Sequence, residues 1–169
     1  MHKWLSEKGL PSLPAHYHDL AREVARDVLE SFPYKEMKRL TRMPDYKYTM
    51  LYRLTPPTWM TDAAIRACCE RLVADTETCS FAGEQTAHAM TKRIRSKDAV
   101  QVDVAVRDKI LGYAKESDVE SIFVPVNFMN AHCCCLVIKV QAKRIFFYDP
   151  LKQAPYKNAC TALATHLKV

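Results

Sequence analysis

The stretch from Ser121 to Leu151 constrains this chain more than any other. Residues 122–128, 132–140 and 144–149 are dense in Ile, Val, Phe and Tyr, with polar residues or Pro at the breaks, which is the pattern of three consecutive strands. A short polar connection, Gln141-Ala142-Lys143, joins the last two and marks an antiparallel hairpin. Side chains alternate across a strand, so His132 shares a face with Cys134, Leu136 and Ile138, and Asp149 shares one with Phe147 and Ile145. Any hairpin loop of even length brings His132 and Asp149 to the same face. Directly opposed residues have Cα atoms about 4.5–5.5 Å apart, within reach of an imidazole–carboxylate hydrogen bond. A buried aspartate there would fix the ring tautomer and leave the other nitrogen free as a base, two members of a catalytic triad. A plainer reading stays open on spacing alone. A histidine heading an apolar strand often serves as a rim residue, and Asp before Pro often just ends a strand.

Ile122-Phe-Val-Pro-Val-Asn127, His132 at the head of an apolar strand, and Ile145-Phe-Phe-Tyr-Asp-Pro-Leu151 together resemble the core of the ubiquitin-like-protein-specific cysteine proteases, the SUMO protease (Ulp/SENP) family. Upstream, Leu54-Thr-Pro-Pro-Thr-Trp-Met-Thr-Asp-Ala-Ala-Ile65 is similar to that family's Trp-Leu-x-Asp-x-x-Ile element, in the right order. The resemblance spans about residues 46–169 and leaves the first 45 aside. It implies that His132 is the general base and Asp149 the residue orienting it. It further implies that Trp59 helps hold the substrate's extended Gly-Gly tail and that Asp62 is a helix-start acid near the ubiquitin-like surface. The implied partner is a SUMO-like ubiquitin-like modifier protein or its conjugates. Three departures stand beside the match. Cys133 follows the histidine where the family usually has a second Trp. Met60 follows Trp59 where Leu is usual, a volume-conserving exchange. No Asp-Cys-Gly nucleophile motif occurs in the chain. Cys160, the one cysteine after Asp149, lies in an apolar helical pattern and reads as a small buried hydrophobe. The expectation is therefore a partial, C-terminally incomplete protease domain that is inactive as given. The alternative is a catalytically dead module that binds a ubiquitin-like protein.

Composition bounds the remaining possibilities. Twenty-five basic against 19 acidic residues give a net charge of +6, scattered along the chain. Lys92-Arg93 and Arg95 form only a short cluster without interleaved aromatics, so nucleic acid is not an expected partner. Seven cysteines, an odd count, with no secretory leader pattern and no apolar run near the ~20 residues of a membrane span, imply reduced thiols and an intracellular location. No cofactor or metal is expected. His132-Cys-Cys-Cys135 places consecutive side chains on opposite faces, and no Cys-x-x-Cys pair exists.

Elsewhere the pattern is helical or indistinct. Three breakers, Gly9, Pro11 and Pro14, make the first 14 residues an extended lead-in. Leu20, Val24, Val28 and Phe32 predict an amphipathic helix over 16–31, ended by Pro33. Tyr46–Arg53 has β-forming residues and reads as a strand. Thr55-Pro-Pro-Thr58 is a rigid turn, after which Thr61 caps a helix over 62–74 that buries Ile65, Cys68, Cys69 and Leu72. In that setting Asp62 serves equally as an acid complementing the helix dipole, and Trp59 as an anchor for the start of the helix. Residues 75–101 are indistinct, with a possible helix over 86–95. Residues 103–116 form another helix with Val104, Ile110, Leu111 and Tyr113 inward, and a last helix from Pro155 buries Tyr156, Cys160, Leu163 and Leu167. The fold class is α+β: a small, mainly antiparallel sheet flanked by helices, of cysteine-protease type, with residues 1–45 as an N-terminal helical extension and 46–169 as the partial protease domain.

Overall fold

The three apolar runs form the strands expected of them. The computed structural model describes residues 3, 5–30, 35–37, 40, 46–54, 59–91, 101–129 and 131–167. Phe32, Pro33, the Thr55–Thr58 turn, the Lys92–Arg95 cluster and Val100 lie outside the described residues. The chain divides into two compact units, Met1–Ala67 and Cys68–Val169.

In the second unit, strands β1 (Cys79–Phe81), β2 (Gln85–Thr86), β3 (Ser121–Asn127), β4 (Cys133–Lys139) and β5 (Arg144–Tyr148) make one sheet in the order β1-β3-β4-β5, with β2 also on β3. β3–β4 and β4–β5 are antiparallel, whereas β1 and β2 pair parallel to β3. Pro125 explains why the parallel partner comes in two pieces. It has no N–H to donate, and it sits between the last β1 pair, Phe81 with Phe123, and the first β2 pair, Gln85 with Val126. The partner chain loops out there through Gly83, whose φ of +107° suits glycine.

One face of this sheet is dry. Ile122, Val124 and Val126 of β3 and Cys134, Leu136 and Ile138 of β4 pack on Val106 and Ile110 of helix α3 (Val104–Tyr113) and on Ala159, Cys160 and Leu163 of helix α4 (Ala154–His166). Asp103 caps α3, its carboxylate accepting from the amides of Ala105 at 2.8 Å and Val106 at 3.1 Å. The buried set of α4 is the expected one, with Tyr156 packed at its margin. In α3 the inward residues are Val106 and Ile110, while Val104 and Leu111 are exposed, because the helix lies on the sheet with a narrower face than its composition suggests.

The first unit departs further from expectation. Residues 5–12 are wound as a π-type turn (Leu5–Gly9) and one α-turn (Leu10–Ser12), so the three breakers do not hold the lead-in extended. Helix α1 (His18–Glu30) buries only Ala25 and Val28, leaving Leu20, Val24 and Leu29 exposed. The expected strand at 46–53 is instead a 3-10 helix, Tyr48–Leu54, preceded by an isolated antiparallel bridge between Lys47 and Glu36. β-forming side chains make a strand only where a neighbour supplies a ladder, and among the described residues the ladder here is that one pair. Tyr46 and Met50 are buried with Ala63, Ala64 and Ala67 of helix α2 (Asp62–Asp75), and the Arg66 guanidinium lies 5.8 Å over the Tyr46 ring. α2 thus turns its alanines inward and leaves Cys68 and Leu72 exposed, since small side chains let the 3-10 segment approach closely. Thr61 caps this helix as expected, its Oγ1 accepting from the Ala64 amide at 3.2 Å.

Candidate active site

Two turns deliver His132 and Asp149 to the same end of the sheet. Between β3 and β4 the chain reverses at Met129, with φ of +52°, and the Phe128 amide donates to the His132 carbonyl at 2.8 Å, which holds His132 at the head of β4. Asp149 follows the last residue of β5, where the next residue is Pro150 and its own backbone is therefore extended. After it the chain folds around the carboxylate. The Leu151 amide donates to Oδ1 and the Gln153 amide to Oδ2, each at 2.9 Å. The His132 Nε2–H donates to Asp149 Oδ1 at 2.7 Å. Both side chains are almost wholly buried, at 2% and 1% exposure.

The expected parity is right and the register is not. β4 and β5 pair Cys135 with Tyr148 and Lys139 with Arg144. Continued outward, that ladder sets Cys134, not His132, opposite Asp149. His132 and Asp149 therefore meet on the diagonal, on one face, because the connection is a four-residue turn from Val140 to Lys143 with Lys143 at φ +49°.

Burial by itself would push the Asp149 pKa up. The hydrogen bonds from His132, Leu151 and Gln153 and the nearby imidazole outweigh that, and the pKa ends below its ordinary 3.8, so the carboxylate is ionised. An ionised carboxylate only accepts, which fixes Nε2 as the protonated ring nitrogen and leaves the lone pair on Nδ1. Nδ1 is buried and has no hydrogen-bond partner among the described residues. An orphaned buried acceptor of this kind costs on the order of 1–3 kcal/mol, and such atoms call for an explanation in function. Aromatic rings hold the imidazole from its other sides. The Tyr156 ring of α4 lies 4.3 Å from it, centroid to centroid, and Phe128 lies 6.4 Å away in a stacked orientation.

Two thiols adjoin this pair. Cys134 shares the inner face, and its sulfur, a ring nitrogen of His132 and a carboxylate oxygen of Asp149 all lie within 4.8 Å of one another. Cys160 of α4 lies in the same buried cluster as Cys134. Burial, aided by the Asp149 charge, pushes Cys134 up to about 12, and burial pushes Cys160 higher than its ordinary value as well. Both are neutral thiols, so neither is an activated nucleophile, and Cys160 is the small buried hydrophobe expected of it. The alternation of β4 already placed Cys134 on the face of His132. Tyr156 read only as core, because nothing in a helical period shows that a ring will lie against an imidazole.

Trp59 and Asp62 belong to the first unit. The Trp59 side chain is exposed at 61%, and its carbonyl accepts from Arg53 Nε–H at 3.4 Å. Asp62 stands in the first turn of α2, half-buried, where its charge complements the positive end of the helix. Among the described residues no helix is long and apolar enough to cross a membrane.

Comparisons with known proteins bear on the fold and the family. No curated protein matches the chain. In fold it is similar to a solved structure of the SUMO protease Ulp1 with the catalytic cysteine oxidised to a sulfinic acid, with a TM-score of 0.54 and 17% identity. That match covers 91% of this chain, which spans 65% of the Ulp1 chain. A family model, the C-terminal catalytic domain of the Ulp1 protease family, matches residues 58–169. The α+β fold and the family model, which matches more than half of the chain, lead to one conclusion: the chain belongs to the Ulp1 protease family.

Proposed function

We propose that this chain is part of a cysteine peptidase that hydrolyses the peptide or isopeptide bond after the C-terminal glycine of a SUMO-like modifier, inside the cell. One observation carries the reading: His132 is locked by Asp149 into a single tautomer, with the lone pair of Nδ1 buried and unpartnered. A ring held this way is a base awaiting a proton. It removes the proton of a thiol, the thiolate attacks the carbonyl of the last glycine, and the imidazolium returns the proton to the leaving amine. Asp149 stabilises the imidazolium without taking its proton. Trp59 aligns the extended tail and Asp62 contacts the modifier, holding the scissile bond in place.

The thiolate is the missing member. Cys134 and Cys160 are buried and neutral, and no Asp-Cys-Gly occurs in the 169 residues. In this reading the nucleophile comes from outside these residues. The same thiols favour a second reading, in which the chain binds a ubiquitin-like modifier and performs no chemistry. A modifier carrying an electrophile at its C-terminus separates the two. We expect the 169-residue chain to bind the unmodified modifier and to escape covalent labelling. Labelling that disappears on Cys134→Ala or Cys160→Ala would overturn the assignment of those thiols as inert. In a longer form that supplies a thiolate, His132→Ala should abolish labelling while leaving modifier affinity within about twofold. An unchanged labelling rate would remove His132 as the base.

A further inference from the structure

The hydrogen bond at Nε2 fixes the tautomer of His132 and leaves the plane of its ring undecided. Nε2 lies close to the Cβ–Cγ axis about which a histidine ring turns, so rotation there moves Nε2 little while it sweeps Nδ1 and its lone pair through a wider arc. The side chain selects no one angle by itself, since this terminal torsion has broad minima. Nδ1 is the atom that acts as base in the proposed reaction, so another contact must aim it. No hydrogen bond does, because Nδ1 has no partner among the described residues.

Tyr156 makes the contact that can. Its ring centroid lies 4.3 Å from that of His132, with the two planes inclined by 37°. Paired aromatic rings usually stand about 4.5–7 Å apart, and carbon atoms attract best at about 3.5–4.0 Å. At 4.3 Å a quarter-turn of the imidazole would drive one of its edges into the Tyr156 face. Phe128, at 6.4 Å and 21°, is toward the far end of that range and leaves room for the same motion. It acts one step back. Its ring lies 4.8 Å from Tyr156 at 53°, and its amide donates to the His132 carbonyl at 2.8 Å, so Tyr156 is braced by the residue that also anchors the head of β4.

The start of α4 serves both members of the pair. The amide of Gln153, its N-cap, donates to Asp149 Oδ2 at 2.9 Å, and Tyr156 stands in the first turn that follows. One helix start therefore sets the carboxylate and the ring plane together. We propose that Tyr156 is the positioning residue of His132: its ring face, not its hydroxyl, holds the imidazole plane so that the lone pair of Nδ1 keeps one direction. Core filling is the plainer role, for Tyr156 is partly buried at the margin of the cluster. A filler can be exchanged for an aliphatic side chain, whereas a wall for a ring cannot. The holding of the ring stands on geometry alone, and its value to a reaction rests on the peptidase reading.

The test is NMR of the 169-residue chain, labelled in its histidines and weakly aligned. Residual dipolar couplings of the two ring C–H bonds of His132 report the orientation of its plane and an order parameter. We expect about 0.85, the value of rigid backbone, in the wild type and in Tyr156→Phe, and below about 0.6 in Tyr156→Leu with the backbone couplings of β4 unchanged. Equal order in the wild type and Tyr156→Leu would overturn the assignment, as would a disordered ring in Tyr156→Phe. Should the leucine variant unfold, the wild type decides. A His132 ring less ordered than the β4 backbone, or one populating two orientations, would refute Tyr156 as its wall. In a longer, active form Tyr156→Leu should lower kcat by about 10²-fold, the scale of a misplacement near 1 Å, with KM unchanged and the rate restored in Tyr156→Phe. A loss confined to KM, or no loss, would remove Tyr156 from the reaction. Ring order involves no turnover, so an inactive longer form would sink the peptidase reading alone, and a mobile ring in an active one would sink this proposal alone.

Discussion

His132–Asp149 and Trp59–Asp62 are the two pairs that the family resemblance marks, and the molecule treats them in opposite ways. The first pair is buried, and its carboxylate accepts three directed hydrogen bonds, from His132, Leu151 and Gln153. The second pair stands outside the buried cluster of its own unit: the Trp59 indole is mostly in solvent and Asp62 sits at a helix start. Burying a charged and a polar ring side chain is costly unless every bond is met, and here one ring nitrogen is left unmet. A fold holding such a pair is committed to it structurally. An exposed indole commits the fold to nothing, and its worth must lie in what it touches. The difference between the pairs is therefore measurable as stability in one case and as affinity in the other.

The largest effect should come from the buried carboxylate. Asp149→Ala would leave the buried His132 Nε2 and the part-buried amides of Leu151 and Gln153 without their acceptor. We expect a loss of about 1–3 kcal/mol, the range for leaving a buried donor unmet, read from the urea midpoint at constant m-value. Asp149→Asn keeps the shape and one acceptor oxygen and should cost less. A loss below about 1 kcal/mol for Asp149→Ala would mean that the pair is not an essential support of the second unit.

Acid should reveal the same bond with a predictable sign. The folded pKa of Asp149 lies below its ordinary 3.8, so as pH falls the unfolded chain takes up the proton first. The stability this group supplies is complete above about pH 4 and is lost as pH falls through the lower folded value. The wild-type midpoint should therefore fall steeply below pH 4, and the Asp149→Asn curve should be flatter over the same range. Parallel curves would show that the carboxylate contributes nothing to acid unfolding.

The contrast also marks what could be read from the residues beforehand. The hairpin was legible because period-two alternation and a polar connection report directly on face and pairing; parity put His132 and Asp149 on one face. The two-residue shift in register was not legible, since it depends on a four-residue turn with Lys143 in a left-handed conformation, which sequence does not favour. β1 and β2 were missed because runs of three and two residues have no period to detect, and they exist only through their parallel pairing with β3. In the first unit, Tyr48–Leu54 carried strand-forming residues and became a 3-10 helix, and α2 turned Ala63, Ala64 and Ala67 inward in place of its larger side chains. Both outcomes were decided by tertiary neighbours. Nor could alternation report that the Tyr156 ring lies tilted against His132, because that contact joins two elements distant in sequence.

The smallest effect on stability, and the sharpest separation of the two pairs, should come from Trp59→Ala. The side chain is 61% exposed, and the polar contact at this residue uses its carbonyl, which the substitution keeps. The urea midpoint should then move by no more than about 0.5 kcal/mol, as for other surface changes. If the indole grips the tail of a ubiquitin-like modifier, its loss removes an aromatic anchor, worth roughly 2 kcal/mol, which is about a 30-fold rise in Kd measured by calorimetry. A midpoint lowered by more than about 1 kcal/mol would make Trp59 an anchor for the start of α2, the plainer of its two roles. An unchanged Kd with an unchanged midpoint would strip it of both roles.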